Sequence, residues 1–169
     1  TLGTNRVYLF DHFGSTDVDN VSNRIRYMAK ACDCKVIFLD HISIVVSGMD
    51  LGDERKAIDN MMTKLRTLVQ ELNITLICVS HLRRPQGNQG HEDGGSVSLS
   101  QLRGSGAIAQ LSDAVITLER NSMAENEDER HLTKIAVAKN RYNGETGPAC
   151  KLQYNGYTGR MVEVEEEVL

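Results

Sequence analysis

A chain of 169 residues is long enough for one domain with a sizeable core, and 40% hydrophobic with 25% charged residues is typical of a globular protein. The formal net charge of −4 excludes a generally basic nucleic-acid binder, so any contact with nucleic acid has to be local. No apolar run is long enough to span a bilayer and the first residues form no signal-peptide pattern, so we expect no membrane partner. The four cysteines fit no usual zinc spacing, and we expect reduced thiols.

The first half of the chain alternates strand and helix signals. The apolar patterns and helix-capping residues predict, in chain order, a strand at 7–10, a helix from 15–17 to about 32, a strand at 36–40, an amphipathic helix at 54–72 and a strand at 74–79. This alternation is typical of a parallel sheet covered by helices on both faces, with right-handed crossovers. The predicted fold class is therefore α/β, and the two central strands should be buried on both faces.

The second half changes character after a fourth predicted strand. The sequence predicts a polar loop at 83–95, a glycine-interrupted helical region at 98–112, a strand at 114–118, a charged loop at 123–130 and short strands at 133–138, 149–154 and 161–164. Asn143-Gly144 and Asn155-Gly156 are turn signals. We expect a single domain whose parallel part, about 1–120, ends in an antiparallel meander at about 130–164.

Two predicted strands end in residues that can carry chemistry. Asp40 follows one apolar run and His81 follows the next. In open parallel sheets ligands bind outside the carboxyl ends of the strands, so the two side chains share a crevice if their strands are neighbours. There Asp40 would hold Mg²⁺ and His81 would contact a terminal phosphate. The alternative is that both are ordinary residues that begin loops.

Two groups of cations stand beside predicted turns. Lys139 and Arg141 precede the turn at 143–144, a place from which an Arg can reach a neighbour's phosphate site as an arginine finger. Arg83 and Arg84 open the polar loop and can contact a nucleic-acid backbone with salt-sensitive binding. A solvated hairpin end and incidental surface charge are the respective alternatives.

Several motifs in order resemble one family over nearly the whole chain. The matching segments are Phe38-Leu39-Asp40-His41-Ile42-Ser43-Ile44-Val45-Val46, Asp53-Glu54-Arg55-Lys56, Ser80-His81-Leu82, Leu102-Arg103-Gly104-Ser105-Gly106-Ala107, Gln110-Leu111-Ser112-Asp113, Leu118-Glu119-Arg120-Asn121 and Asn140-Arg141-Tyr142-Asn143-Gly144-Glu145-Thr146-Gly147. Together they resemble the RecA-like motor domain of hexameric replicative DNA helicases of the bacteriophage helicase–primase and Twinkle type. Each motif alone has little specificity, whereas the ordered set is specific.

The resemblance implies a role for each matching position. Asp40 is similar to the Walker B carboxylate at Mg²⁺, and His81 to the histidine that links the γ-phosphate to a DNA-binding loop. Gln110 falls at a second phosphate-sensing position. Arg141 resembles the arginine finger given to the adjacent subunit, with Lys139 as its helper.

The resemblance also implies binding residues, and the chain departs from the family in two places. Arg120 and Tyr154 lie where the family sandwiches the nucleotide base, and Arg83 with Arg84 opens a loop like the one that grips single-stranded DNA. That loop continues with Gln86-Gly87-Asn88-Gln89, where the phage relative is richer in Lys. The phosphate-binding motif G-x-x-x-x-G-K-[ST] occurs nowhere in the chain.

We therefore expect part of an NTP-dependent helicase whose phosphate-binding loop and catalytic glutamate lie upstream of Thr1, so that the chain alone is inactive. The implied cofactors are Mg²⁺ with ATP or dTTP, and the implied partners are single-stranded DNA and further copies in a hexameric ring. A primase domain upstream stays open. The implied place is the cytoplasm of a bacterium or phage-infected cell rather than a mitochondrion.

Two other readings of the sequence stay open. One is a RecA-like recombinase or another ring ATPase, which shares the fold but does not unwind DNA. The other is a non-enzymatic interaction domain that has lost its phosphate-binding loop.

Overall fold

In a computed structural model of the protein, the residues described are 6–10, 17–46, 51–82, 97, 99–101 and 106–164. Their helices and strands, in chain order, are α1 (Val18–Lys30), β1 (Val36–Leu39), α2 (Leu51–Leu72), β2 (Thr75–Cys78), α3 (Gly106–Leu111), β3 (Ala114–Arg120), α4 (Glu127–Arg130), β4 (Leu132–Asn140), β5 (Gly147–Asn155) and β6 (Arg160–Val164). Short 3₁₀ turns cover Ile42–Val46 and Leu99–Gln101. The elements fall into two compact units, the first with α1, β1, α2, β2 and α3 and the second with β3–β6 and α4.

Helix α1 begins where its capping residue predicts. The Asp17 carboxylate accepts a hydrogen bond of 2.7 Å from the backbone N–H of Asn20, which satisfies one of the first N–H groups of the helix. Val21 and Ile25, four residues apart, are the buried positions, and α1 packs against α2. The predicted helix is confirmed with Asp17 as its N-cap, while Ser15 and Thr16 lie outside the described residues.

Helix α2 supplies the largest group of core side chains among the described residues of the first unit. Its buried apolar side chains recur at helical spacing and are Ile58, Met61, Met62, Leu65 and Leu68. Two exposed ion pairs join it to α1, Lys64 with Asp19 at 2.7 Å and Arg26 with Glu71 at 2.9 Å. Such solvent-screened pairs contribute about 0–1 kcal/mol each, so burial of the apolar stripe holds the two helices together.

Strands β1 and β2 pair in parallel, as the strand–helix–strand pattern predicted. Ile37 on β1 is buried at 4% exposure, whereas its neighbour Phe38 is 70% exposed. Ile77, which pairs with Phe38, and Val79 are exposed on the same face. The prediction that both faces of these strands are buried is therefore wrong for the described residues. An apolar run shows that a strand can be buried, but it does not show which residues cover each face.

The strand predicted at 7–10 is also wrong. Residues 6–10 have no regular secondary structure, and Val7, Leu9 and Phe10 are exposed. A strand needs a hydrogen-bonded neighbour, and the described two-stranded sheet consists of β1 and β2 alone. The Arg24 guanidinium lies 3.7 Å from the centre of the Phe10 ring, so a cation–π contact attaches this segment to α1 instead.

The second unit is a four-stranded antiparallel sheet in the order β3-β4-β5-β6. The strands predicted at 133–138, 149–154 and 161–164 are confirmed with longer bounds, and Gly144, in the predicted turn after β4, has the positive φ (+76°) that favours glycine. The strand predicted at 114–118 belongs to this antiparallel sheet as β3. Strand β3 pairs with β4 along its whole length, from Ala114 opposite Asn140 to Arg120 opposite Thr133, because the intervening segment reverses the chain direction.

Two irregularities bend the sheet near the end of β4. The register with β3 shifts between Val115 and Ile116, which leaves Ala138 as an extra residue on β4. The register with β5 shifts between Ile135 and Ala136, which leaves Ala149 as an extra residue on β5.

Within the described part of the chain, no helix combines the length and the hydropathy needed to cross a membrane.

Candidate active site

The carboxyl ends of β1 and β2 meet at one edge of the parallel sheet. Leu39 is opposite Cys78, and the next residues continue the ladder, with Val79 N–H donating to Leu39 O and Ile42 N–H donating to Val79 O, both at 2.9 Å. Asp40 and His81 follow these strand ends, so the strands are neighbours as the predicted crevice required. Side chains at the end of a hydrogen-bonded ladder start from a rigid backbone, which suits residues that must be held in place.

His41 is a neighbour of His81 that the sequence reasoning gave no role. The two imidazole rings meet edge to face, with centroids 4.2 Å apart and an interplanar angle of 67°. Among the described residues, the buried Nδ1 of His41 has no hydrogen-bond partner. The His41 ring therefore lies directly against that of His81.

Asp40 fits a magnesium site of one particular kind. Its side chain is exposed at the strand end, and within the described ranges no three His, Cys, Asp or Glu side chains gather as a metal cluster. Mg²⁺ often takes one or two carboxylates and completes its shell with water and substrate phosphates. Asp40 therefore suits an ion that arrives with a nucleotide, and that ion would neutralise charge on the phosphates.

Gln110 lies on α3, an element of the same unit as Asp40 and His81. It is exposed, and α3 packs against α2. Two residues later the chain enters the second unit at Ser112. The structure thus places three of the predicted site residues in the first unit and connects Gln110 to the second unit by a short stretch of chain.

Lys139 and Arg141 both contact the stretch that joins α3 to β3. The Lys139 ammonium donates to the carbonyl oxygen of Ser112 at 2.8 Å. The backbone N–H of Arg141 donates to the Asp113 carbonyl oxygen at 2.8 Å, and Arg141 Nη1 lies 3.1 Å from Asp113 Oδ1. Both cations therefore contact their own chain beside the turn from which the sequence predicts that Arg141 reaches a neighbouring subunit. Asp113 appeared only as the last residue of a matching motif.

The extra residue Ala138 explains the direction of Lys139. With strict alternation Lys139 would share a face with Val137, which pairs with Ile116. The shift instead pairs Lys139 with Val115, so it lies on the opposite face from Val137. Bulges often re-aim side chains in this way.

Arg120 and Tyr154 lie on one face near one end of the antiparallel sheet. Arg120 pairs with Thr133, which pairs with Leu152, and Tyr154 follows two residues later on the same strand. Arg120 is exposed and Tyr154 is 36% exposed. Their placement leaves a guanidinium and a ring available to an incoming flat group, and the ring of His131 lies 6.1 Å from that of Tyr154.

Arg83 and Arg84 lie outside the described residues.

Neither Cys34 nor Cys78 is activated as a nucleophile. Burial raises the pKa of the Cys78 thiol to about 11, and burial followed by the charges of Cys32 and Asp33 raises the pKa of Cys34. A raised pKa lowers the thiolate fraction, which is the reactive form. All four cysteines are free thiols, in agreement with the expectation from the sequence.

Sequence comparison identifies relatives over nearly the whole chain. Residues 2–163 match the family model described as the DnaB-like helicase C terminal domain. A DNA helicase/primase of Enterobacteria phage T3 is 41% identical over 158 residues, which cover 94% of this chain and 27% of the phage protein. The chain thus spans about a quarter of the length of that relative.

Solved structures support the same fold at lower identity. A DnaB-like replicative helicase, solved in a study of its interactions with primase, has a TM-score of 0.68 and 21% identity, covering 92% of this chain and 36% of that one. A KaiC-like protein from Pyrococcus horikoshii OT3 has a TM-score of 0.60 and 17% identity, covering 88% of this chain and 57% of that one. The predicted α/β fold of RecA type is therefore confirmed.

Proposed function

Because the chain belongs to the DnaB-like helicase C-terminal domain family, we propose that it forms part of a motor that hydrolyses a nucleoside triphosphate to move along single-stranded DNA and unwind duplex. The observation that carries this proposal is the shared edge of β1 and β2, where Asp40 and His81 follow hydrogen-bonded strand ends. A carboxylate and an imidazole at such an edge suit a Mg²⁺–phosphate group.

The proposed catalytic residues divide between two neighbouring subunits of a ring. Asp40 holds Mg²⁺, while His81 and Gln110 contact the terminal phosphate from the same subunit. Arg141, assisted by Lys139, reaches that phosphate from the adjacent subunit. A planar guanidinium can contact two phosphate oxygens at once and offset the charge of the transition state, an effect of about 10³–10⁵-fold in related enzymes.

The nucleotide base is proposed to stack between Arg120 and Tyr154. Both lie on the same sheet face, and an Arg plane and an aromatic ring are suited to stacking on a base from opposite sides. Stacking is tolerant of base identity, so this arrangement accepts ATP or dTTP.

Coupling to DNA is proposed to run through the chain that leaves β2. His81 lies two residues before Arg83. The hydrogen bonds between Ile42, Val79 and Leu39 hold the end of β2 in place. A shift of His81 on phosphate release would therefore move the residues that follow it, which include Arg83, and would leave β2 in position. Arg83 and Arg84 would carry that movement to the DNA backbone.

The wider assembly is also proposed from the relatives. The phage relative is named a helicase/primase, and a solved relative was studied with its primase. We infer a hexameric ring of this protein that works beside a primase, in the cytoplasm of a bacterial or phage-infected cell. These 169 residues contain no phosphate-binding motif, and the proposed motor would take that loop from other residues.

A mixing experiment tests the shared site. In the full-length protein, Asp40→Asn and Arg141→Ala are each expected to lose nearly all DNA-stimulated hydrolysis. Mixed in equal amounts, they should recover up to roughly a quarter of the wild-type rate, since one interface in four then joins an intact site to an intact finger. Arg130→Ala, which removes an exposed arginine of the same unit, is the matched control and should stay active.

The outcomes separate the parts of the proposal. A mixture no more active than its parents would show that Arg141 does not act across subunits. Full activity of Arg141→Ala alone would remove the finger assignment. Hydrolysis without strand separation on a forked duplex would instead favour a ring ATPase that does not unwind DNA.

A further inference from the structure

The stretch Ser112–Asp113 holds both cations of the proposed finger segment. Three contacts converge on these two residues, two of them to Asp113 and one to the Ser112 carbonyl oxygen, at distances from 2.8 to 3.1 Å. They join the end of β4 and the residue after it to the two residues that precede β3, so they are contacts between segments distant in sequence. Two of the three use backbone atoms, which fixes the path of the chain as well as the side chains.

Asp113 contacts Arg141 through both its backbone and its side chain. Its carbonyl oxygen accepts from the Arg141 backbone N–H, and its carboxylate lies beside the Arg141 guanidinium. The first contact sets where the Arg141 Cα lies, and the second sets where its side chain points. A long side chain after a turn otherwise samples many rotamers, and ordering it in advance lowers the entropy lost when it contacts a phosphate.

The ion pair of Arg141 with Asp113 is strong enough to orient the guanidinium but weak enough to release it to a phosphate. The side chains of Arg141 and Asp113 are 44% and 29% exposed, so solvent and salt weaken their attraction. The 3.1 Å between Arg141 Nη1 and Asp113 Oδ1 is also longer than the roughly 2.7–2.9 Å of a strong charge-assisted hydrogen bond. A triphosphate carries several charges and can attract the guanidinium more strongly than Asp113 does.

We propose that Asp113 is a positioning residue for Arg141, which it holds in the orientation that lets the guanidinium enter the neighbouring subunit's phosphate site. The inference rests on the proposed finger role of Arg141.

A double-mutant cycle in the full-length protein tests this role. The variants are Asp113→Ala, Arg141→Ala and the two combined, with kcat and KM for the nucleotide measured in the presence of single-stranded DNA. Asp113→Ala should lower kcat by about tenfold or more with KM little changed, since small misplacements of a catalytic group reduce rates steeply. In the Arg141→Ala background it should have no further effect.

Two further variants separate positioning from folding. Asp113→Asn keeps an oxygen that can accept from the guanidinium and should restore most of the rate lost in Asp113→Ala. Asp33→Asn is the matched control: it neutralises an exposed carboxylate that pairs with Lys35 at 2.7 Å, and Asn tolerates the φ of +53° at that position. It should hydrolyse nucleotide at the wild-type rate.

Each other result overturns the inference in a recognisable way. An equal loss from Asp113→Ala in both backgrounds would show that Asp113 acts independently of Arg141, while the loss in Arg141→Ala alone would still support the finger. An unchanged kcat in Asp113→Ala would show that the pair does not position Arg141. A raised kcat would show that Asp113 restrains Arg141. Wild-type activity of Arg141→Ala would remove the finger and this inference together.

Discussion

The difference between two adjacent residues of β1 gives a sharp test of how this sheet is covered. Ile37 is 4% exposed and Phe38 is 70% exposed, although both belong to the same apolar run. We expect Ile37→Ala to destabilise the first unit strongly and Phe38→Ala to destabilise it little. Size alone predicts the reverse order, because Phe is the larger side chain.

The expected magnitudes follow from the buried fraction of each side chain. Ile→Ala in a core costs about 2–5 kcal/mol, and Ile37 is almost fully buried. A buried Phe→Ala costs about 3–5 kcal/mol, but Phe38 has only the remaining three tenths of its surface covered, which scales the cost to about 1 kcal/mol. The two variants should therefore differ by about 1–4 kcal/mol in the free energy of unfolding.

Urea unfolding followed by far-ultraviolet circular dichroism is a suitable assay. The long helices α1 and α2 both belong to the first unit, so the helical signal reports mainly on the unit that contains β1. The midpoint and the slope with urea give the free energy for each variant of the 169-residue chain. Repeating the measurement at two concentrations about tenfold apart detects any contribution from self-association.

A loss of 3 kcal/mol or more in Phe38→Ala, equal to that in Ile37→Ala, would refute the reasoning, since such a cost requires a covered side chain (about 3–5 kcal/mol for buried Phe). If that loss depended on concentration, a second copy would be covering the face. The same substitution in the full-length protein shows whether further residues cover Phe38: its cost there should rise if they do.

Three further outcomes are expected. Asp17→Ala should destabilise α1 by about 1 kcal/mol in thermal unfolding, with Asp17→Asn close to wild type because Asn also caps; equal losses would contradict the capping contact. Cys78 should alkylate much more slowly than a free thiol in timed labelling, and rapid labelling of the folded protein would contradict its burial. Because its folded pKa of about 11 exceeds the ordinary 9.0, its contribution to the free energy of unfolding should decline as pH rises from 9.0 towards 11. In the full-length protein, Arg83→Ala should weaken single-stranded DNA binding and reduce the salt slope by about 1, and an unchanged slope would remove the phosphate contact.

Helices α1 and α2 were predictable because their signals are local, whereas α4 (Glu127–Arg130) lies in a segment expected to be a charged loop. The apolar spacing of α2 and the cap of α1 lie within a few residues of the elements that they define, and the structure follows both. The membership of β3 was not predictable in this way. Its sequence fits a strand of either sheet, and the choice depends on pairing with β4 through contacts that no local pattern records.

The candidate site shows the same division. The placement of Asp40 and His81 after neighbouring strand ends was predictable, because a polar residue at the end of an apolar strand is visible in the sequence and the pairing of β1 with β2 follows from a familiar chain pattern. Their roles stay a prediction. The contact of His41 with His81 and that of Asp113 with Arg141 join residues far apart in the chain. The direction of Lys139 depended on one extra residue in β4, which leaves no mark in composition or periodicity.

That extra residue, Ala138, has a consequence for how the sequence can vary over evolutionary time. Substitution at Ala138 keeps the residue count, so Lys139 still pairs with Val115. Deletion of one residue between Val137 and Arg141 would restore simple alternation and turn Lys139 to the other face, away from the Ser112 carbonyl. Homologues that keep this contact should therefore differ freely in residue type here while preserving the length of the segment to the residue.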